Sequence, residues 1–167
     1  ISPNTDLSGN NMTIQSSSLT LGLSSTPKSA TSVKGTSNVE VVAFSFAASL
    51  ASAIKVTDLT LTGYVDDSGG NYDVGVASGA DSSLSVGNLV SAVKIYDGDS
   101  GTLISATPYS NQLNNSTGTI KFNNLSWTIP AGQTKRLLVK VDLSSNTTSN
   151  SGSDFFTFDI NTTTDVT

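Results

Sequence analysis

The chain has 167 residues, no cysteine, no histidine and a formal net charge of −5, with only 13% of its residues charged. Without thiolate or imidazole groups it has no ligand set for zinc, copper, haem or an iron–sulfur cluster, and Ser-His-Asp and Cys-His catalysis are excluded. Its eight Lys and Arg are scattered singly apart from Lys135-Arg136, a poor electrostatic footprint for nucleic acid or an anionic membrane, so neither is expected as a partner.

Ser and Thr together number 51 and Asn adds 14, so small uncharged groups do the solubilising that Lys and Glu do elsewhere. No apolar run approaches the length of about 18 residues that a membrane span needs; the nearest, Val39 to Leu50, is broken by Ser45 and Ser49. The chain starts at Ile1 rather than Met, which reads as a processed or excerpted form, and Ile1-Ser-Pro-Asn-Thr-Asp6 lacks the long hydrophobic helix that a type IV pilin keeps.

Taken in order, residues 1–24 form a Ser/Asn/Gly-rich arm with alternating segments at Met12-Thr-Ile14 and at Leu19, Leu21 and Leu23. Alternation of apolar and polar residues then recurs in nearly every segment, the pattern of half-buried strands. In Val39 to Phe46, Val42, Phe44 and Phe46 share one face and Val39, Val41 and Ala43 the other. Ile54 and Val56, Leu59 and Leu61, Val93 and Ile95, and Ile120 and Phe122 follow the same rule. So do Leu125-Ser-Trp127-Thr-Ile129, Leu137-Leu-Val139-Lys-Val141-Asp-Leu143, and Phe156, Phe158 and Ile160.

Turn formers separate these runs, among them Pro27-Lys-Ser, Asp97-Gly-Asp-Ser-Gly101 and Pro130-Ala-Gly132. Ala47 to Ala53 is too short and Ser-rich to hold a helix, and Gly87 to Ala92 can hold a turn. Residues 64–90 read as a Gly/Ser/Asp-rich insertion and residues 144–153 as a low-complexity loop. The expected fold is all-β: a β-sandwich of about eight to ten strands over residues 25–167, preceded by an extended N-terminal arm.

The stretch from Thr36 to Ile160 resembles the Ig-like β-sandwich repeats of bacterial and archaeal surface proteins. Asn38-Val-Glu-Val-Val-Ala-Phe-Ser-Phe46 is similar to the opening strand of such a domain, and Ile54 to Thr62 to the next core strand. Val93-Lys-Ile-Tyr-Asp-Gly98 resembles the strand and turn that follow, and Trp127-Thr-Ile-Pro-Ala-Gly132 running on to Asp142 a proline-glycine corner feeding a late strand. The resemblance implies an Ig-like sandwich in an extracellular setting, as in S-layer proteins, adhesins, filament subunits and modules of secreted enzymes; it does not imply an activity.

Five sets of residues are candidates for function. Asp66, Asp67 and Asp73 lie in the Gly-rich insertion, where converging oxygens suit calcium; a solvated loop is the default, and no cofactor is expected. Asp97-Gly-Asp99-Ser-Gly101 starts like an EF-hand loop, but the twelfth position falls on Pro108 and the closing Glu is missing, so a hairpin turn is expected. Tyr64, Tyr72, Tyr96, Tyr109 and Trp127 offer flat faces to a sugar, although Trp127 alternates with Leu125 and Ile129 and reads as core. Glycan acceptor motifs occur at Asn11, Asn114, Asn115, Asn124, Asn146 and Asn161. A glycosidase would need two carboxylates of separated pKa in a cleft, and the only glutamate, Glu40, sits on a strand where it faces solvent, so no enzyme activity is expected.

The fifth candidate is the arm. Leu19, Leu21 and Leu23 make either the first strand of their own sandwich or a donor strand that completes the sheet of a second copy; Thr157 to Val166 is an alternative donor. Head-to-tail donation generates an open filament. The sequence therefore points to a structural subunit of an extracellular cell-surface polymer (filament, pilus-like fibre or S-layer) whose partner is a copy of itself. The alternative is an adhesive or carbohydrate-binding module of a larger secreted protein, with surface glycans as partner.

Overall fold

The structure, a computed structural model, describes residues 16–66, 72–75, 84–108, 118–145, 154–162 and 165–167. It is nearly all β. In chain order the elements are β1 (Leu19–Leu23), β2 (Val39–Ala48), β3 (Ile54–Val56), β4 (Leu59–Asp66), β5 (Asp73–Val74), the one-turn helix α1 (Val86–Leu89), β6 (Val90–Asp97), β7 (Leu103–Pro108), β8 (Thr119–Phe122), β9 (Trp127–Ile129), β10 (Thr134–Leu143) and β11 (Phe155–Asp159). The described strands number eleven, slightly more than the sequence pattern suggests; β5, two residues long, lies in the span 64–90 where no alternation marks it.

All pairings are antiparallel. One sheet runs β1-β2-β10-β6-β7. A second is built on β4, which pairs with β11 along one side and with β8 and β5 in tandem along the other. A short third ladder joins β3 to β9. The two larger sheets turn their apolar faces towards each other in a sandwich-like arrangement, with β11 over β2. Phe46, Val56, Leu59, Leu61, Val65, Ile95, Ile120, Phe122, Ile129 and Leu137 are fully buried between them.

Residue alternation explains most of this core, and one bulge explains an exception. Val42, Phe44 and Phe46 face inward, as their spacing requires. The ladder between β2 and β10 then skips a residue, so that Val42 opposes Val139 while Glu40 opposes Lys140 and Val39 opposes Val141. An extra residue in one strand reverses the parity beyond it. Val39, assigned by simple alternation to the face of Val41 and Ala43, is thereby brought into line with the inward-facing Val141 and packs against the core.

The span 64–90 does more than connect. Leu84, Val86 and Leu89 are buried in the core, and α1 is capped by the Ser85 hydroxyl, which accepts a hydrogen bond from the Asn88 backbone N–H. Ala47 and Ala48 belong to β2 rather than to a helix.

Where β8 hands over to β5 beside β4, three glycines bring three backbones together. Gly63 N–H donates to Gly118 at 2.7 Å and Gly75 N–H donates to Gly63 at 3.0 Å. Gly118 has φ +64°, and a Cβ there would stand 2.6 Å from the Gly63 carbonyl oxygen and 2.8 Å from the Gly75 nitrogen. Neither the left-handed backbone nor the space admits a side chain. Replacement Gly118→Ala is expected to lower stability by about 2 kcal/mol or more, measured as a shift of the urea midpoint with unchanged slope; an unchanged midpoint would show that the three-backbone junction is not a constraint.

Candidate functional site

Two places in the fold concentrate unusual chemistry: a polar cluster at one end of the core, and an open edge between the sheets.

The polar cluster is centred on Asp97, the last residue of β6. Asp97 opposes Leu137 and so shares its inward direction, which buries the residue to 5% exposure. Its Oδ2 accepts hydrogen bonds from the Trp127 indole at 2.8 Å and from the Lys135 ammonium at 2.7 Å. Its Oδ1 accepts from the backbone N–H groups of Asp99 at 3.1 Å and Ser100 at 3.0 Å. Phe46 packs edge-on against Trp127, with ring centroids 5.1 Å apart, and Lys135 lies 5.7 Å from the indole centroid.

Burial opposes ionisation of Asp97, but the hydrogen bonds from Lys135, Trp127, Ser100 and Asp99 outweigh it and hold the carboxyl far below the usual carboxylate range. The Asp97-Gly-Asp-Ser-Gly loop is the turn joining β6 to β7, and both Asp97 carboxylate oxygens accept hydrogen bonds from the protein itself. Arg136 fastens the same loop from β10. Its backbone N–H donates to Asp99 at 3.1 Å, and its guanidinium donates to the Gly98 carbonyl at 3.0 Å. At the far end of the sheet Lys94 joins Asp142, 2.7 Å away, and the Asn38 side chain, 2.9 Å away. Burial opposes the ionised form of Asp142 too, and Lys94 with the Asn38 N–H lowers its pKa in spite of that.

The open edge has different chemistry. β1 is an outermost strand of the five-stranded sheet, with β7 at the other edge, and β11 is an outermost strand of its counterpart. β11 packs over β2. Between β1 and β11 runs a groove of about 660 Å³, lined by Leu21, Leu23, Val42, Phe44, Phe158 and Ile160 among others. Leu19, Leu21 and Leu23 share the inward parity of β1, yet Leu19 and Leu21 are only half-buried and Leu23 is 73% exposed. Among the described residues β1 pairs only with β2 and β11 only with β4. Neither strand contains Lys or Pro, and the only charge is Asp159 at the end of β11.

The remaining candidates fall as follows. Leu19, Leu21 and Leu23 pair with Phe44 to Ala48 of β2 in their own chain. From the alternative donor, Thr157 to Asp159 lie in β11 and Val166 bridges to Leu59. Asp66 is buried at the end of β4 and Asp73 opens β5 opposite Val65, while Asp67 lies outside the described residues. Among the described residues no three acidic side chains gather as a metal cluster. Tyr64 and Tyr72 both line the groove; Tyr96 lies under Lys140, Trp127 is buried in the polar cluster, and Tyr109 is outside the described residues. Glu40 is exposed and pairs with Lys140 at 2.8 Å. Asn124 is exposed on the turn between β8 and β9 with φ +57°, and Asn161 accepts a hydrogen bond from the Tyr64 hydroxyl at 2.8 Å. Asn11, Asn114, Asn115 and Asn146 lie outside the described residues.

Comparison with protein-family models, with curated proteins and with solved structures gives no match. The functional reading therefore rests on these residues.

Because the Asp97 carboxyl gives up its proton at lower pH in the folded chain than at the unfolded value of about 3.9, its contribution is fully present above about pH 4 and is lost as pH falls further. Asp97→Asn is expected to cost roughly 2–3 kcal/mol at neutral pH, where Lys135 loses its counter-charge. The gap between variant and parent should narrow below about pH 4. Urea unfolding followed by fluorescence of Trp127, the single tryptophan, reads both effects; a gap that stays constant with pH would contradict the ionised-carboxylate account.

Proposed function

We propose that this chain is a structural, non-catalytic subunit of an extracellular surface polymer, an Ig-like sandwich that joins its copies through β-strand contacts. The observation that carries the proposal is the apolar groove between the outer strands β1 and β11. Exposed apolar surface beside unpaired strand edges is what an added strand covers: main-chain hydrogen bonds supply affinity and alternate side chains enter the groove. Proteins that stay monomeric commonly block such edges with Lys, Pro or bulges, and β1 and β11 have neither Lys nor Pro.

Composition supports the same reading. A surface dominated by Ser, Thr and Asn lets subunits pack without like-charge repulsion, and eight Lys and Arg leave few sites for trypsin-like proteases. Asn124, exposed on its turn two residues before the exposed Ser126, is an accessible glycan acceptor of the kind an extracellular protein carries. Among the described residues no helix is long and apolar enough to cross a membrane.

The alternative, a carbohydrate-binding or adhesive module, draws on one observation: Tyr64 and Tyr72 line the groove. The remaining walls are largely aliphatic or Phe, with few polar groups to meet sugar hydroxyls, and this favours a strand as occupant. Negative-stain microscopy of the concentrated protein, run beside a glycan array, separates the two. Fibres or sheets without glycan binding are expected; a monomer that binds glycans would overturn the polymer reading in favour of the module.

A further inference from the structure

We propose that residues 28–34, in the connection between β1 and β2, are the chain's cleavage site for lysine-specific endopeptidases of the trypsin class, cut first at the Lys28–Ser29 bond. The proposal stands apart from the polymer reading and rests on where the basic residues fall in the fold.

An endopeptidase takes its substrate as a single extended strand and pairs with that strand's backbone. A cleavable bond therefore lies in exposed chain that gives up no ladder and no core contact on entering the enzyme. All eight Lys and Arg lie within the described residues. Lys55 belongs to β3, Lys94 to β6, Lys121 to β8, and Lys135, Arg136 and Lys140 to β10. Each of these strands is held in register by a neighbour, and β6 and β10 by neighbours on both sides. Only Lys28 and Lys34 stand outside every strand and helix.

The side chains divide the same way. A lysine-specific pocket needs an ammonium that can leave the protein surface. Lys94, Lys135 and Lys140 are engaged by Asp142, Asp97 and Glu40, and the Arg136 guanidinium donates to the Thr26 hydroxyl and the Gly98 carbonyl. Lys28 and Lys34 are exposed and join no ion pair among the described residues.

The backbone then ranks the two bonds. Every residue from 28 to 38 is exposed. The loop is fastened before this stretch, where Ser24 N–H donates to the Ala43 carbonyl at 2.8 Å and Thr26 accepts from Arg136 at 3.0 Å. It is fastened again after it, where Gly35 N–H donates to the Ser144 carbonyl at 3.1 Å and Thr36 N–H to the Val33 carbonyl at 3.2 Å. Between these ties Lys28-Ser-Ala-Thr-Ser32 has no hydrogen bond among the described residues, and the four residues after Lys28 are small. The Lys34–Gly35 bond instead lies in a turn with its N–H held, so it is cut second.

Hydrolysis breaks the amide C–N bond: water gives its hydroxyl to the Lys28 carbonyl carbon and a proton to the Ser29 nitrogen. Among the described residues every buried apolar side chain, from Val42 onward, lies after the cut. The sandwich therefore survives cleavage, while β1 keeps its ladder with β2 and loses its covalent tether to it.

Limited digestion of the full chain with trypsin under native conditions, read by intact mass and N-terminal sequencing, tests this. The first product should begin at Ser29 and form at least tenfold faster than any product cut at the six basic residues in strands. Lys28→Gln/Lys34→Gln, at two exposed positions, should slow the first cut at least tenfold, and Ser29→Pro should move it to Lys34. The nicked protein should retain the Trp127 emission of the intact chain. First cleavage at Lys55, Lys94, Lys121, Lys135, Arg136 or Lys140 would overturn the proposal, as would a parent chain cut no faster than the double glutamine variant. A first cut at Lys34 in the parent would overturn the ranking of the two bonds, and loss of the native emission on nicking would overturn the claim that the cut spares the fold.

Discussion

Each sheet of a two-layer β-protein has one apolar face that the other must cover, and here the layers do not match at one margin. β2 lies beneath β11, and β1 extends the five-stranded sheet a strand further, with Leu23 exposed. The incomplete burial of Leu19 and Leu21, the exposure of Leu23, the groove and the outer side of β11, unpaired among the described residues, all lie at this margin. Fully burying a Leu side chain is worth about 2 kcal/mol, so three incompletely covered leucines represent a substantial unrealised association energy.

The two ends of the sandwich are fastened by polar clusters. At one end a buried carboxylate has four donors, so that β6, the turn after it, β9 and β10 are tied by a single side chain. At the other end Lys94, Asp142 and Asn38 join β6, β10 and the entry to β2. Ionic partners appear where strands must be held in register, while the groove margin remains nearly uncharged. That division is consistent with the proposed role, in which the edge is left for a partner.

Much of the architecture was legible in residue spacing. Alternation places Phe44, Phe46, Leu59, Leu61, Ile120, Phe122 and Trp127 in the core, and the Asp97-Gly-Asp-Ser-Gly turn reads as a hairpin without any structure. The inward turn of Val39 was not legible, because a bulge reverses parity without a mark in the local sequence. Nor were the core positions of Leu84, Val86 and Leu89, which sit among Gly and Ser and owe their burial to packing against distant strands. The Asp97–Lys135 pair had a signal of its own. Lys135 shares parity with Leu137 and Val139, and Asp97 with Val93 and Ile95, so each puts a charge among inward-facing apolar residues. Two such residues of opposite sign mark a buried pair, though 38 residues of separation hide which partner each will find. The groove depends on which strands end up at sheet edges, a long-range property that no local window carries.

The central claim is that the outer side of β11 becomes paired when subunits meet. Hydrogen–deuterium exchange of the β11 amides, followed as protein concentration rises, measures this directly. The account predicts that amides within Phe155–Asp159 facing away from β4 exchange at least tenfold more slowly at concentrations where assemblies form, while those of β10, flanked on both sides within the subunit, do not change. Equal exchange of β11 at all concentrations, in a sample that assembles, would contradict it.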